Sequence, residues 1–119
     1  MTLDEFFAGR DEARAIFDAV ARALGATGPT ELRVTKSQVA FGRRHTVAAV
    51  WTPDRYLGPG RGAPLVLTLS FPRRDTSPRW KEIVEVGPGR WTHHLELRSP
   101  GEVDDVVGAW LAEAWESAA

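Results

Sequence analysis

The sequence has no cysteine, a single methionine, a single tyrosine and only two lysines in 119 residues. Without cysteine there is no disulfide framework, no thiolate nucleophile and no thiolate ligand, so a metal site would have to be built from His, Asp or Glu. No apolar run approaches the roughly 20 residues that a membrane-spanning helix needs. The opening stretch, MTLDEFFAGRDEAR, puts acids where a secretory signal carries bases, and no apolar segment follows it. The expected location is therefore the cytoplasm. No motif calls for a cofactor. The length suits one domain across 1–119, helical at 1–28, sheet-forming at 30–98 and closed by a helix at 100–117.

Scarce lysine leaves arginine, with 13 copies, as the main source of positive charge. Arg-rich codon usage in a GC-rich genome accounts for much of this. Its physical consequence is that planar guanidinium groups suit carboxylates and phosphates better than ammonium groups do. Net charge is −1 but unevenly spread: −2 over residues 1–29, +6 over 30–98 and −5 over 99–119. Either acidic helices neutralise a basic sheet, or the middle segment presents a face to anions.

Hydrophobic spacing gives the elements. Thr2 and Glu5 fit a capping box ahead of Phe6 and Phe7. Ala13, Ile16, Phe17, Val20 and Leu24 form one helical stripe, ended by Gly25, Gly28 and Pro29. From residue 30 the period becomes two. Strands are expected at 31–35, 37–44, 47–52, 65–71 and 91–98, with 80–86 either strand or helical turn. Residues 54–64, rich in Gly and Pro, read as a loop. Ser99-Pro100-Gly101-Glu102 reads as a helix start. The stripe beyond it comprises Val103, Val106, Val107, Trp110, Leu111, Ala114 and Trp115. The pattern predicts an α+β fold, a mainly antiparallel sheet of about five strands with N- and C-terminal helices on one face.

Several segments have a familiar look: Val34 to Phe41, Val47 to Trp51, Leu65 to Phe71 followed by Pro72-Arg73-Arg74, Trp91 to Leu97, and the helix with Asp104-Asp105 and Trp110 to Trp115. Together they resemble an uncharacterised bacterial domain family, DUF5655. More distantly they resemble small bacterial α+β domains (DUF1801) that include a proposed iron chaperone. The likeness spans most of residues 30–116. It implies an α+β fold and a bacterial, actinobacterial-type origin. It carries no catalytic residue; the matching positions are Lys36, Ser37, Phe41 and His93.

Among chemistry-bearing side chains, His93 falls on the same face as Trp91 and Leu95. A buried imidazole needs partners, and a hydrogen-bonded structural histidine is the plain alternative to a ligand contact or general base. His94 points the other way, so the two cannot chelate one metal. Lys36 and Ser37 diverge at a strand start, which disfavours a nucleophile–base pair and leaves Lys36 as an anion contact. Arg43, Arg44, Arg55, Arg61, Arg73, Arg74, Arg79 and Lys81 are interleaved with Trp51, Tyr56 and Trp80. Stacking and phosphate contact in nucleic-acid binding use such sets, but so does any solvated rim. The Gly58–Gly62 and Gly87–Arg90 stretches lack the ending and the following helix of a phosphate loop.

The leading reading is a non-enzymatic ligand-binding or protein-interaction module, with Lys36, Arg43, Arg74, Trp80 and His93 facing an anionic small molecule or an acidic partner. A small enzyme using His93 as acid or base comes second, and a nucleic-acid accessory domain third. Self-association is a fourth, because helices on one side leave the other face of the sheet bare, enough for a homodimer.

Overall fold

The computed structural model describes residues 1–119. Thr2 caps the first turn, α1 (Leu3–Phe6): its hydroxyl accepts from the Glu5 amide at 3.1 Å while the Glu5 carboxylate accepts from the Thr2 amide at 2.9 Å. The longer α2 (Asp11–Thr27) buries Ala13, Ile16, Phe17, Val20 and Leu24, the residues of its predicted stripe. Phe7 packs on Phe17 at 5.2 Å between centroids, and Phe17 stacks on Phe41 of the sheet at 5.7 Å. This aromatic run ties both N-terminal helices to one face of the strands.

Those strands are β1 (Glu31–Val34), β2 (Val39–Gly42), β3 (Thr46–Trp51), β4 (Leu65–Phe71), β5 (Glu82–Gly87) and β6 (Arg90–Leu97). All pairings are antiparallel, in the order β1-β2-β3-β4-β6-β5. The sheet has six strands, because the 80–86 segment, open between strand and turn on its sequence, pairs with β6. Strand β4 alternates as its sequence requires, with Leu65, Leu67, Leu69 and Phe71 in the core. A bulge after Phe41 seats both Val47 and Ala48 in that core. The 54–64 loop contains one helical turn, α3 (Asp54–Leu57).

The last helix starts later than its sequence suggests. Ser99 makes no side-chain cap, and Pro100–Glu102 form an isolated 3₁₀ turn. Val103, with ψ at 74°, leaves helical geometry, so α4 (Asp105–Ser117) restarts under its own cap. That cap is Asp104, whose carboxylate accepts from the Val107 amide at 3.0 Å. The restart turns Val106 outward, off the expected stripe, while Val107, Trp110, Leu111 and Ala114 are buried. Helices α2 and α4 pack on each other and on the same face of the sheet. Residues Ala40, Ala49, Thr68 and His94 line the opposite face, which no long helix covers.

Trp115 seals the end of this arrangement. Its indole N–H donates to the Pro29 carbonyl at 3.1 Å, and the Arg43 guanidinium stacks on its ring at 3.5 Å. On the other side lies Gly28, where an added Cβ would stand 2.2 Å from the indole. Glycine is therefore required by close approach. Gly28→Ala should lower unfolding free energy by about 1–3 kcal/mol, the usual cost of overpacking. Urea denaturation at pH 7.5 measures it, and an unchanged midpoint would refute the packing argument.

Candidate functional site

His93 is fully buried, at 0% exposure. Its ring sits 4.5 Å from Phe71 and 4.9 Å from Trp80 between centroids, and Trp80 lies 4.1 Å from Trp110 of α4. Nε2 accepts a hydrogen bond from the Asp75 amide at 3.0 Å, which assigns the neutral ring's proton to Nδ1. Nδ1 has no hydrogen-bonding partner. Burial pushes the imidazole pKa below its ordinary value, against the opposing pull of Asp75. In this packing the His93 ring does not reach solvent.

Asp75 is the hub beside it. Its carboxylate accepts from the Trp80 indole at 2.8 Å, from Arg73 at 2.8 Å and from the Ser77 amide at 3.0 Å. Burial alone would raise its pKa; these hydrogen bonds outweigh it and hold the value at about 2. Arg73 also forks onto Glu113 of α4, with both contacts at 2.6 Å, which raises its own pKa. Arg79 grips the Asp104 carboxylate at 3.0 Å. The basic 72–81 connection is thus strapped to acidic α4.

The residues singled out on sequence do not form one surface. Trp80 and His93 come together but face inward. Arg74 is exposed above them, in a shallow groove of about 230 Å³ with Asp75, Ser77, Lys81 and Glu82. Lys36 lies exposed in the turn between β1 and β2. Arg43 lies at the other end of β2, committed to Trp115 by stacking and by a 2.8 Å bond to its carbonyl.

A different group does converge. Beside the β2–β3 turn, Arg33, Arg43, Arg44 and His45 line a groove of about 540 Å³ whose one acid is Glu31. Arg33 and Arg44 are exposed and take part in no ion pair. The other grooves lined by more than one Arg or Lys hold as many acids or more: Arg10 and Arg61 with Asp11, Glu12 and Asp54, and Arg74 and Lys81 with Asp75 and Glu82. The turn itself is fixed, since Arg43 is pinned on α4 and the His45 amide donates to the Ala118 carbonyl at 3.1 Å. Sequence reasoning passed over Arg33 because a lone basic residue on a short strand carries no pattern. Its cross-strand pairing with Ala40 leaves it beside the turn arginines. No group of three or more His, Asp or Glu side chains is placed to hold a metal ion.

On the bare face, His94 Nδ1 and the Thr68 hydroxyl are 2.9 Å apart. Burial lowers the His94 pKa, Glu82 opposes that shift and Lys81 adds to it. Both histidines thus have native pKa values below the ordinary 6.5. Above pH 6.5 their contribution to stability is complete. As pH falls below it, the unfolded chain binds protons that the native chain does not, and stability drops. The drop is at most about 1.4 kcal/mol per pH unit for each histidine. Urea titrations at pH 7.5, 6.5 and 5.5 should show this slope, and His93→Gln, which keeps an acceptor for the Asp75 amide, should reduce it. An unchanged slope in that variant would remove His93 from the account.

No curated protein and no solved structure matches the chain. A protein-family model does match, over residues 3–118, nearly the whole length. The six-stranded antiparallel sheet between terminal helices is accordingly the fold of a member of that family: the chain belongs to the family described as Domain of unknown function (DUF5655).

Proposed function

We propose that this protein is a non-enzymatic binding module of the bacterial cytoplasm. It takes an anionic small molecule, or the acidic side chains of a protein partner, in the groove beside the β2–β3 turn. One observation carries this reading: Arg33 and Arg44 stand unpaired in a groove with a single acid, while Arg73 and Arg79 are consumed by carboxylates of the same fold. Guanidinium forks held on a fixed turn suit carboxylates and phosphates bidentately. Arg43 serves here as the buttress that holds the turn rather than as the primary contact. The enzyme reading has less behind it, because His93 is sealed against Phe71 and Trp80, with Trp110 behind Trp80. A nucleic-acid role would call for basic surface beyond this one groove, and the 72–81 arginines mostly face acids instead.

Isothermal titration with citrate, inorganic phosphate and a nucleoside triphosphate tests the proposal. At least one polyanion should bind, more weakly as salt is raised. Arg33→Ala and Arg44→Ala should each weaken it about tenfold or more, since a charged hydrogen bond contributes about 1.5–3 kcal/mol. Absence of binding at millimolar concentration, or full affinity in both variants, would overturn the reading.

A further inference from the structure

The bare face of the sheet has a second groove at the opposite end of β2 and β3. Trp51, Pro53, Tyr56 and Leu57 line it, with Gln38 and Lys81 at its sides, in a volume of about 510 Å³. Trp51 and Tyr56 meet edge to face with centroids 6.0 Å apart. Tyr56 is 65% exposed and Leu57 53%. This exposure is built in. Asp54 pairs with Arg10 at 3.0 Å. Arg55 donates to the Thr52 hydroxyl at 2.8 Å and to the Phe6 carbonyl, and its guanidinium stacks on the Phe6 ring. Gly62, at φ +78°, brings the next loop so close that a Cβ there would lie 2.9 Å from Pro53. The polar half of α3 is thus anchored inward, and its apolar half faces outward. An exposed apolar surface of this kind, beside a groove, suits an apolar side chain of a partner.

The two grooves have no lining residue in common; Ala40, which lines the cationic one, and Ala49 lie between them. Ala40 lies opposite Ala49 in the register, with Arg33 beyond Ala40 and Thr68 beyond Ala49. Two alanines with taller side chains on both sides leave a low, narrow trough along the strands, in which Ala40 is half-buried and Ala49 is 7% exposed. Its two ends, at Gln38 and Gly42, are four residues apart, or about 13 Å at 3.3 Å per residue. One end is apolar and aromatic; the other is cationic.

We infer that the trough docks an extended acidic peptide segment of a protein partner. One aromatic or aliphatic side chain sits against Trp51, Tyr56 and Leu57. Small residues pass over Ala40 and Ala49. Carboxylates about four residues away meet Arg33 and Arg44. The cationic end of this site rests on the anion reading above; the aromatic end and the spacing do not. Charge complementarity selects the acidic partner. Lys81, the cation at the aromatic end, is engaged by Glu96 at 3.5 Å, so the anionic groups belong at the Arg33 end.

Fluorescein-labelled peptides carrying one Trp and a Glu-Glu pair, separated by zero to six Ser or Thr residues in both chain directions, test the inference by anisotropy on the full chain. Affinity should peak near three intervening residues, at least tenfold above the shortest and longest spacers. Tyr56→Ser, Ala49→Phe and Arg44→Ala should each weaken the best peptide at least tenfold. Circular dichroism confirms folding, and the surface position of Tyr56 makes Tyr56→Ser the safest of the three. Citrate binding should respond to Arg44→Ala alone. A flat spacing profile, or full peptide affinity in Tyr56→Ser and Ala49→Phe, overturns the trough while citrate binding leaves the anion reading standing. Loss of both citrate and peptide binding overturns both. Light scattering that shows a dimer disrupted by Ala49→Phe would assign the face to a second copy and overturn the peptide.

Discussion

The strap between the 72–81 connection and α4 is the contact on which the far side of the core depends. Strand β5 is an edge strand, and the side of it that faces the helices has no helix of its own. Trp80, Phe71 and Trp110 fill that space around His93. Exposed Arg–carboxylate pairs contribute at most about 1 kcal/mol each, so Arg73–Glu113 and Arg79–Asp104 are not stability reserves in themselves. Their effect is positional. By fixing Arg73, the Glu113 pair fixes Asp75, and Asp75 supplies acceptors to the Trp80 indole and the Ser77 amide while its own amide donates to His93 Nε2. Leaving such buried groups unpaired costs about 1–3 kcal/mol apiece, so the buried hydrogen bonds outweigh the surface ion pairs that orient them.

The charge segregation in the chain follows from the same geometry. A basic connection laid across an acidic helix is neutral where they touch. Net charge over a stretch of sequence counts arginines without saying which meet carboxylates. Arg73 and Arg79 do; Arg33 and Arg44 do not. That distinction is made by strand register and by the path of the 72–81 segment, neither of which appears as local spacing.

Local signals were legible where one interaction dominates. The Thr2–Glu5 box, the α2 stripe and the β4 alternation each rest on contacts within a few residues or on a single buried face. The Ser99–Glu102 pattern misled because proline and an acid satisfy a 3₁₀ turn as well as an α-helix, and Asp104 offered a competing cap. His93 was legible as inward-facing; its hydrogen-bond partner depended on Asp75, 18 residues earlier in the chain, arriving to meet it. The aromatic groove combines residues from the β1–β2 turn, β3, α3 and Lys81 just ahead of β5, so only the assembled sheet reveals it.

The sheet offers a partner two edges and one bare face, and its side chains favour the face. Edge strand β1 carries Glu31 and Arg33, and edge strand β5 carries Glu82 and Glu85 with a bulge before Gly87. Charges and bulges of this kind discourage pairing of another strand along an edge. The face has the reverse character at its centre, where Ala40 and Ala49 place no bulk or charge between the Trp51 end and the Arg33 end. A wholly solvated face has no need of small residues there, since β-branched and polar side chains suit an exposed strand better than alanine does. The alanines therefore cost some strand propensity, and what that cost provides is a low stretch of β2 and β3 between the two grooves.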